Sequence, residues 1–528
     1  MNTTMKTPGV YIQELDAFGN SVVPIPTAVP AFIGYTAKTS FNGKSILNKA
    51  VKITSLSEFL LIFGSEAPQI QYSITSTLQT EKSEENKTDE HLGFTSNGYT
   101  YSITPTTINY RMYSSIKFFY ENGGGTCYIM SIGAYDYSKS TITDTADFTN
   151  AITLFEKETE PTMLVIPDVV EVINSSAAPS SSTYLQDTHA NAYSLQNEMI
   201  NHCGKMTNRI AILDIPGGYK EPLVGTTSIQ QFRNSNQPSE LKFNSYAVAY
   251  YPWLHTTVYQ SSEISYKNID KKAYNQVTQL LNHEFTDANG VIKSDIEKII
   301  SAFSDKSITS IDTADSTLQN LSTSYQLLMK TIMSHMNLIA PSAGMAGIYT
   351  SVDNNKGVWV APANVEIQST IKPAIKIDHA AQEDLNIPID GKSICAIRAF
   401  IGRGNLVWGA RTLDGNSNDW RYINVRRTMI YIEESIKDAA KAYVFSANNA
   451  GTWVNVKSMI SNFLTGLWKQ GGLVGPKPAD AFSVSVGLGS TMTGDDILNG
   501  IMRIAVKVAV SHPAEFIEIT FQQEMQKS

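Results

Sequence analysis

A chain of 528 residues is longer than one hydrophobic core commonly serves, since cores stop growing near ~250–300 residues, so two or three domains are expected. An apolar share of 42% with 17% charged residues is that of an ordinary globular protein with ample side chains to bury. The formal net charge of -8, from 49 acidic against 41 basic residues, argues against a nucleic-acid binder, which would show a basic stripe. Cys127, Cys203 and Cys395 lie far apart and cannot all pair, so a disulfide framework is not expected and assembly in a reducing compartment is. The N-terminus, MNTTMKTPGVY, lacks the apolar run of a signal peptide, and no stretch reaches the ~18 continuous apolar residues of a membrane span.

In chain order, residues 1–26 read as an extended arm. Val10, Tyr11 and Ile12 make a short β-prone run bracketed by Pro8, Pro24 and Pro26, which forbid a helix. An apolar strand at a chain end needs a partner, either by folding back or by pairing with another molecule. Short strands and turns follow to about Thr80, then a charge-dense stretch, EKSEENKTDEHLG, that reads as a solvated loop or small insertion.

From Tyr110 to Leu254 helical periodicity alternates with nearly all-apolar strands. A helix through Tyr113, Ile116 and Tyr120 leads into CYIMSI; helices over Phe148–Glu158 and Ala190–Met206 separate MLVIP and RIAILDI; a short helix near Ile229 precedes YAVAYYPWL. That alternation predicts βαβ units and a mainly parallel sheet. Residues 261–336 are helical instead, with stripes Val277/Leu280/Leu281/Phe285, Ile296/Ile299/Ile300/Phe303 behind a Ser294–Glu297 capping box, and Leu318/Leu321/Tyr325/Leu328/Ile332. Near the C-terminus, helices are predicted over 426–445 and 453–470, followed by three alternating strands: Phe482/Val484/Val486/Leu488, Ile504/Val506/Val508/Val510 and Ile517/Ile519/Phe521.

The parallel sheet invites a search for a phosphate site, but no strand runs into a glycine fingerprint. Gly43–Ser45 and Gly391–Ser393 each spell GKS without the glycine five residues earlier that a P-loop needs, and Gly402/Gly404 and Gly487/Gly489 stand without context. Asp168 and Asp214 each close a parallel strand, where α/β enzymes keep catalytic carboxylates; they read either as a Mg²⁺-binding pair for phosphoryl transfer or hydrolysis, or as capping residues beside Pro167 and Pro216. The eight histidines form no pair at ligand spacing. No catalytic, cofactor-binding or metal-binding set is assigned, and a non-enzymatic role is expected.

TPGVYIQE followed by PTAVPAFIGYT resembles the opening of the contractile tail sheath family of phages, R-type pyocins and extracellular contractile injection systems. FFYENGGGTCYIMSI, YAVAYYPWL, APSAGMAGIYTSVDNNKGVWVAPANVEI, IGRGNLVWGARTL, YINVRRTMIYIEESI and PAEFIEITFQQE are similar to further landmarks of that family, in its order. The helical stretch 261–336 and the acidic stretch 81–93 depart from the pattern and read as additions.

The resemblance implies a multidomain α/β and α+β chain. Its expected parts are an N-terminal exchange arm (1–26), a mainly parallel α/β outer domain (27–260 with 337–384), a helical insertion (261–336), a C-terminal α+β assembly domain (385–510) and a C-terminal exchange arm (511–528). It implies inter-subunit strands carrying Val10, Tyr11 and Ile12 at one end and Phe516, Ile517, Ile519 and Phe521 at the other, completing a neighbour's sheet. It also implies an inner-tube contact, for which the helix 453–470 offers Lys457, Trp468 and Lys469. The implied partners are the chain itself in a helical polymer, an inner tube, baseplate and terminator or cap proteins and sheath paralogues, with no cofactor, no nucleic acid and no membrane insertion. Assembly is expected in a bacterial cytoplasm, in a phage tail or a released phage-tail-like particle. An α/β enzyme using Asp168 and Asp214, or another tube or baseplate component, remains the alternative.

Overall fold

The computed structural model describes residues 22–79, 92–174, 188–220, 227–287, 290–305 and 308–518. They divide into a larger unit, Pro26–Arg427 with the segment from Pro513, and a smaller one, Thr428–His512 with the segment ending at Ile25.

The larger unit is built on a sheet of eight strands among the described residues. Six run parallel, in the spatial order Cys395–Phe400, Ala247–Tyr251, Ile210–Asp214, Met163–Val165, Pro30–Thr36, Cys127–Ala134. Antiparallel edge strands, Gly404–Trp408 and Val51–Ile53, close the two sides. The inner strands are apolar at nearly every position because helices cover both faces. On one face Ala146–Leu154 and Ala190–Met206 bury Phe148, Ala151, Leu195 and Met199 against Ile33, Leu164 and Leu213. On the other, Met112–Glu121 and Ser342–Lys356 pack on Phe32 and Tyr250, with Phe32 and Phe119 rings 5.3 Å apart edge to face and the Tyr250 and Tyr349 hydroxyls 2.8 Å apart. These two helices lie so close that a Cβ at Gly347 would run into the Phe119 carbonyl oxygen, so the small residues of the SAGMAG segment set the helix spacing.

The stretch 261–336 carries the helices Tyr274–Phe285, Ser294–Asp305, Ile308–Leu321 and Thr323–Met336. The second of them starts at Ser294, so this serine is the first helical residue and not the expected cap. The helical stretch does not stand alone. It packs on a three-stranded antiparallel sheet, Tyr72–Leu78, Gly93–Ser96 and Tyr99–Pro105. Buried Tyr72 meets His335 Nδ1 at 2.8 Å, Tyr101 meets His283 Nδ1 at 2.9 Å, and the Tyr99 and His283 rings stack 3.9 Å apart.

One expected boundary is corrected. Residues 385–427 fold with the larger unit and not with Thr428–His512, because Cys395–Phe400 pairs in parallel with Ala247–Tyr251 and carries Gly404–Trp408 with it. The change of unit falls inside the continuous helix Ile423–Ala440.

In the smaller unit, helix Ala450–Lys469 starts at an Asn449 cap whose side chain accepts the Thr452 N–H. It buries Val456, Met459, Ile460, Leu464 and Leu467 and packs against strand Phe482–Val486. That strand pairs antiparallel with Ile504–Val508, Val484 opposite Val506. Phe463, expected in the same stripe, is half-buried against Tyr431, the rings 5.9 Å apart. The third expected strand is not formed over its described part, Ile517 and Glu518, and Ile519 and Phe521 lie outside the described residues.

Candidate assembly site

The sheet of the smaller unit has two strands among the described residues, and beyond an isolated bridge at Leu473 and Val510 no further described strand pairs with it. Phe482, Val486, Ile504, Val506 and Val508 on its apolar face are only half-buried, whereas Ser483, Ser485, Ala505 and Lys507 on the other face are exposed. A two-stranded sheet is marginal by itself and gains from a further strand, whose backbone would satisfy an open edge and whose alternate side chains would cover the apolar face.

After Val510, residues 511–518 are in neither helix nor strand, and Phe516 and Ile517 are 71% and 78% exposed. Just before them, in the larger unit, Glu515 is held by three partners. Arg411 Nε and Nη2 donate to it at 3.0 and 2.6 Å, the Tyr422 hydroxyl at 3.1 Å and the Asn386 side-chain amide at 2.6 Å. Burial would raise the Glu515 carboxyl, but the hydrogen bonds from Arg411 and Asn386 and the Arg411 charge outweigh it and hold it below its ordinary value. Neither Arg411 nor Glu515 stood out in the sequence. They lie 104 positions apart, and no local pattern pairs them.

Of the other expected site residues, Val10, Tyr11 and Ile12 lie outside the described residues. Lys457 and Lys469 are both exposed on helix Ala450–Lys469, off its buried stripe, and half-buried Trp468 donates its indole N–H to the Gly475 carbonyl at 2.8 Å.

The contacts of Asp168 and Asp214 are those of the capping reading. The strands they follow are neighbours, but both carboxylates are fully buried and their oxygens are taken. Asp168 accepts the Tyr35 and Arg111 N–H groups at 3.0 and 2.6 Å; Asp214 accepts the Ser342 N–H at 2.8 Å and its hydroxyl at 2.5 Å. Burial pushes each carboxyl up to about 6, against the lowering effect of these bonds. A Cβ at Gly34 would strike the Asp168 carboxylate, so strand Pro30–Thr36 passes close beside it. These aspartates fasten strand ends to the next element. Among the described residues no group of three or more His, Cys, Asp or Glu is placed to hold a metal ion, and no helix is long and apolar enough to cross a membrane. The three cysteines are free and buried.

The glycine motifs are turns. Gly43, Gly402, Gly404 and Gly489 all have positive φ, and Gly402/Gly404 turn Cys395–Phe400 into Gly404–Trp408. In the second GKS tripeptide Lys392 Nζ donates to the Arg233 and Asn236 carbonyls, which uses it structurally.

Residues 416–524 match the family model described as the phage tail sheath C-terminal domain. The chain is similar to the tail sheath protein of Vibrio phage KVP40, 29% identical over 142 residues; the match spans 26% of this chain and 20% of that relative's length. Over nearly the whole chain the fold is that of two solved sheaths. The sheath complex of the extracellular contractile injection system PVC, in its contracted state, matches with a TM-score of 0.58 and 24% identity, covering 99% of each chain. The helical sheath of the anti-feeding prophage, also contracted, matches with a TM-score of 0.56 and 23% identity, covering 99% of this chain and 100% of that one.

Proposed function

With residues 416–524 a phage tail sheath C-terminal domain, we propose that the whole chain is a structural subunit of a contractile sheath, one that polymerises helically around an inner tube and shortens to drive it outward. The observation that carries the proposal is the smaller unit: a sheet with two strands among the described residues, in a chain whose tail leaves Phe516 and Ile517 exposed. In this reading the N-terminal arm, with Val10, Tyr11 and Ile12, and the C-terminal arm, from Phe516 through Phe521, each enter the sheet of a neighbouring copy. Ladder hydrogen bonds then supply linkage and alternating side chains supply register. A head-to-tail contact that does not close on itself generates a helical filament.

Contraction follows as rigid-body rotation of subunits that stay joined through their arms, released from a kinetically trapped extended state. The work comes from the tighter packing of subunit on subunit in the shortened state, so the subunit needs no nucleotide. Lys457 and Lys469 face the tube, where screened charge pairs of ~0–1 kcal/mol each hold it while permitting release. Baseplate and terminator proteins cap the filament, and the lobe made of the helical insertion and its three-stranded sheet lies on the outer wall. The particle assembles in a bacterial cytoplasm.

Electron microscopy of the purified full-length chain tests this. Tubes or cogwheel polymers are expected from the intact chain, and folded subunits without tubes from a chain lacking residues 1–20 or carrying Ile519→Asp, which places a charge on the apolar face of the exchanged strand. Normal tubes from either variant refute arm exchange, and a small closed oligomer from the intact chain refutes the sheath.

A further inference from the structure

Among the described residues of the C-terminal tail, 513–518, the side chain of Glu515 is held by the larger unit while its neighbours are exposed. Ala514 and Glu518 are exposed with Phe516 and Ile517, whereas the carboxylate of Glu515 between them is gripped from three parts of the chain. The grip has directional geometry. Arg411 reaches the carboxylate with two of its nitrogens while a third donates to the Gly415 carbonyl at 3.1 Å, and the guanidinium side chain is 3% exposed, so it cannot swing with the tail. Asn386, 129 positions away, closes the helix His379–Asn386 and turns its side-chain amide onto the carboxylate; the Tyr422 hydroxyl completes the cradle.

A free tail with adjacent Phe and Ile would sample many directions and would lose that freedom when it pairs. A tail whose departure point is already fixed loses less, and its strand is held near the position from which a neighbour is reached. Arg411, Asn386 and Tyr422 contribute nothing to the neighbour's sheet in this arrangement; they act through Glu515.

We infer that the Arg411–Glu515 pair, braced by Asn386 and Tyr422, is a positioning clamp that sets where the C-terminal strand leaves its own subunit, so that Phe516 and Ile517 are presented to a second copy of the chain before assembly. The inference rests on the sheath reading for its partner. Whether the tail is held in the free subunit does not depend on that reading.

The three native cysteines are buried, so a nitroxide on Ala514→Cys in the full-length chain reports on the tail alone. In the unassembled subunit the label is expected to move slowly. In Glu515→Gln, which removes the charge and keeps the shape, its motion should quicken by about tenfold and the concentration needed for half-assembly should rise by about tenfold. Arg411→Lys, which keeps the charge and loses the two-nitrogen grip, should fall between. A purely structural role for the pair would not move the label. The clamp is overturned if the label is already fast in the parent chain, or if freeing the tail leaves assembly at the parent concentration. Should the variants fail to fold, the parent label alone decides. If the parent chain forms no tubes, the sheath reading fails while label mobility still scores the clamp.

Discussion

Arg427 is the last residue of the larger unit before the chain passes into the smaller one, and its removal should be felt strongly. Its guanidinium donates to both oxygens of Asp353 at 2.9 and 2.6 Å and to the Thr27 carbonyl at 3.0 Å, and lies 4.6 Å from the Tyr349 ring centroid. Thr27 lies just after another of the places where the chain changes unit, between Ile25 and Pro26. One side chain therefore ties the backbone beside each of these two crossing points to Asp353. The pair is 4% and 1% exposed. Arg427→Met keeps most of the volume but leaves a buried carboxylate without its cation, a change that costs about 3–5 kcal/mol, while the Thr27 carbonyl keeps the Thr162 hydroxyl as a donor at 2.8 Å. Arg427→Met with Asp353→Leu removes both charges and should recover most of the loss, because an apolar pair of similar size avoids the desolvation penalty. Urea unfolding followed by tryptophan fluorescence reads both variants. A loss below about 1 kcal/mol in the single variant, or a double variant no better than the single, would refute the assignment of this stability to charge pairing.

Asp214 gives a pH test with a defined sign. Its folded carboxyl titrates at about 6, above the unfolded value, so its contribution to stability is fully present below the unfolded value and is lost as pH rises through about 6. Asp214→Asn keeps an acceptor for the Ser342 N–H and a donor for its hydroxyl, should be more stable than the parent by roughly 1–3 kcal/mol at pH 7.5, and should converge with it near pH 4, as measured by denaturant unfolding across pH. Replacing residues 261–336 with a short loop should yield poorly soluble protein, because buried Tyr72 and Tyr101 lose their histidine partners; removing residues 72–105 as well should restore a monodisperse chain on size-exclusion chromatography.

The parallel strands were legible because burial on both faces makes them apolar at nearly every position, and helix Ala190–Met206 was legible because its buried residues recur at helical spacing. Asp168 and Asp214 were visible as strand-end carboxylates, but their role was not. A catalytic carboxylate and a hydrogen-bonded tie have the same residue type at the same place, and only the Tyr35, Arg111 and Ser342 donors distinguish them. The APSAGMAG landmark that carried part of the family resemblance is a packing solution with particular residue requirements, as the Gly347 contact with Phe119 illustrates.

What the linear pattern could not settle is where distant segments meet. Cys395–Phe400 reads as one more strand, and its place beside Ala247–Tyr251 depends on a pairing across roughly 150 positions that no local periodicity encodes. The unit boundary lies inside helix Ile423–Ala440, where helical continuity hides it from glycine, proline or composition signals. Local sequence determines secondary structure and which faces are apolar, because those follow from neighbours within a few residues. The sheet order, the joining of the insertion to the 72–105 strands and the Arg411–Glu515 clamp were decided by tertiary structure, because each rests on complementary groups that only folding brings within hydrogen-bond reach.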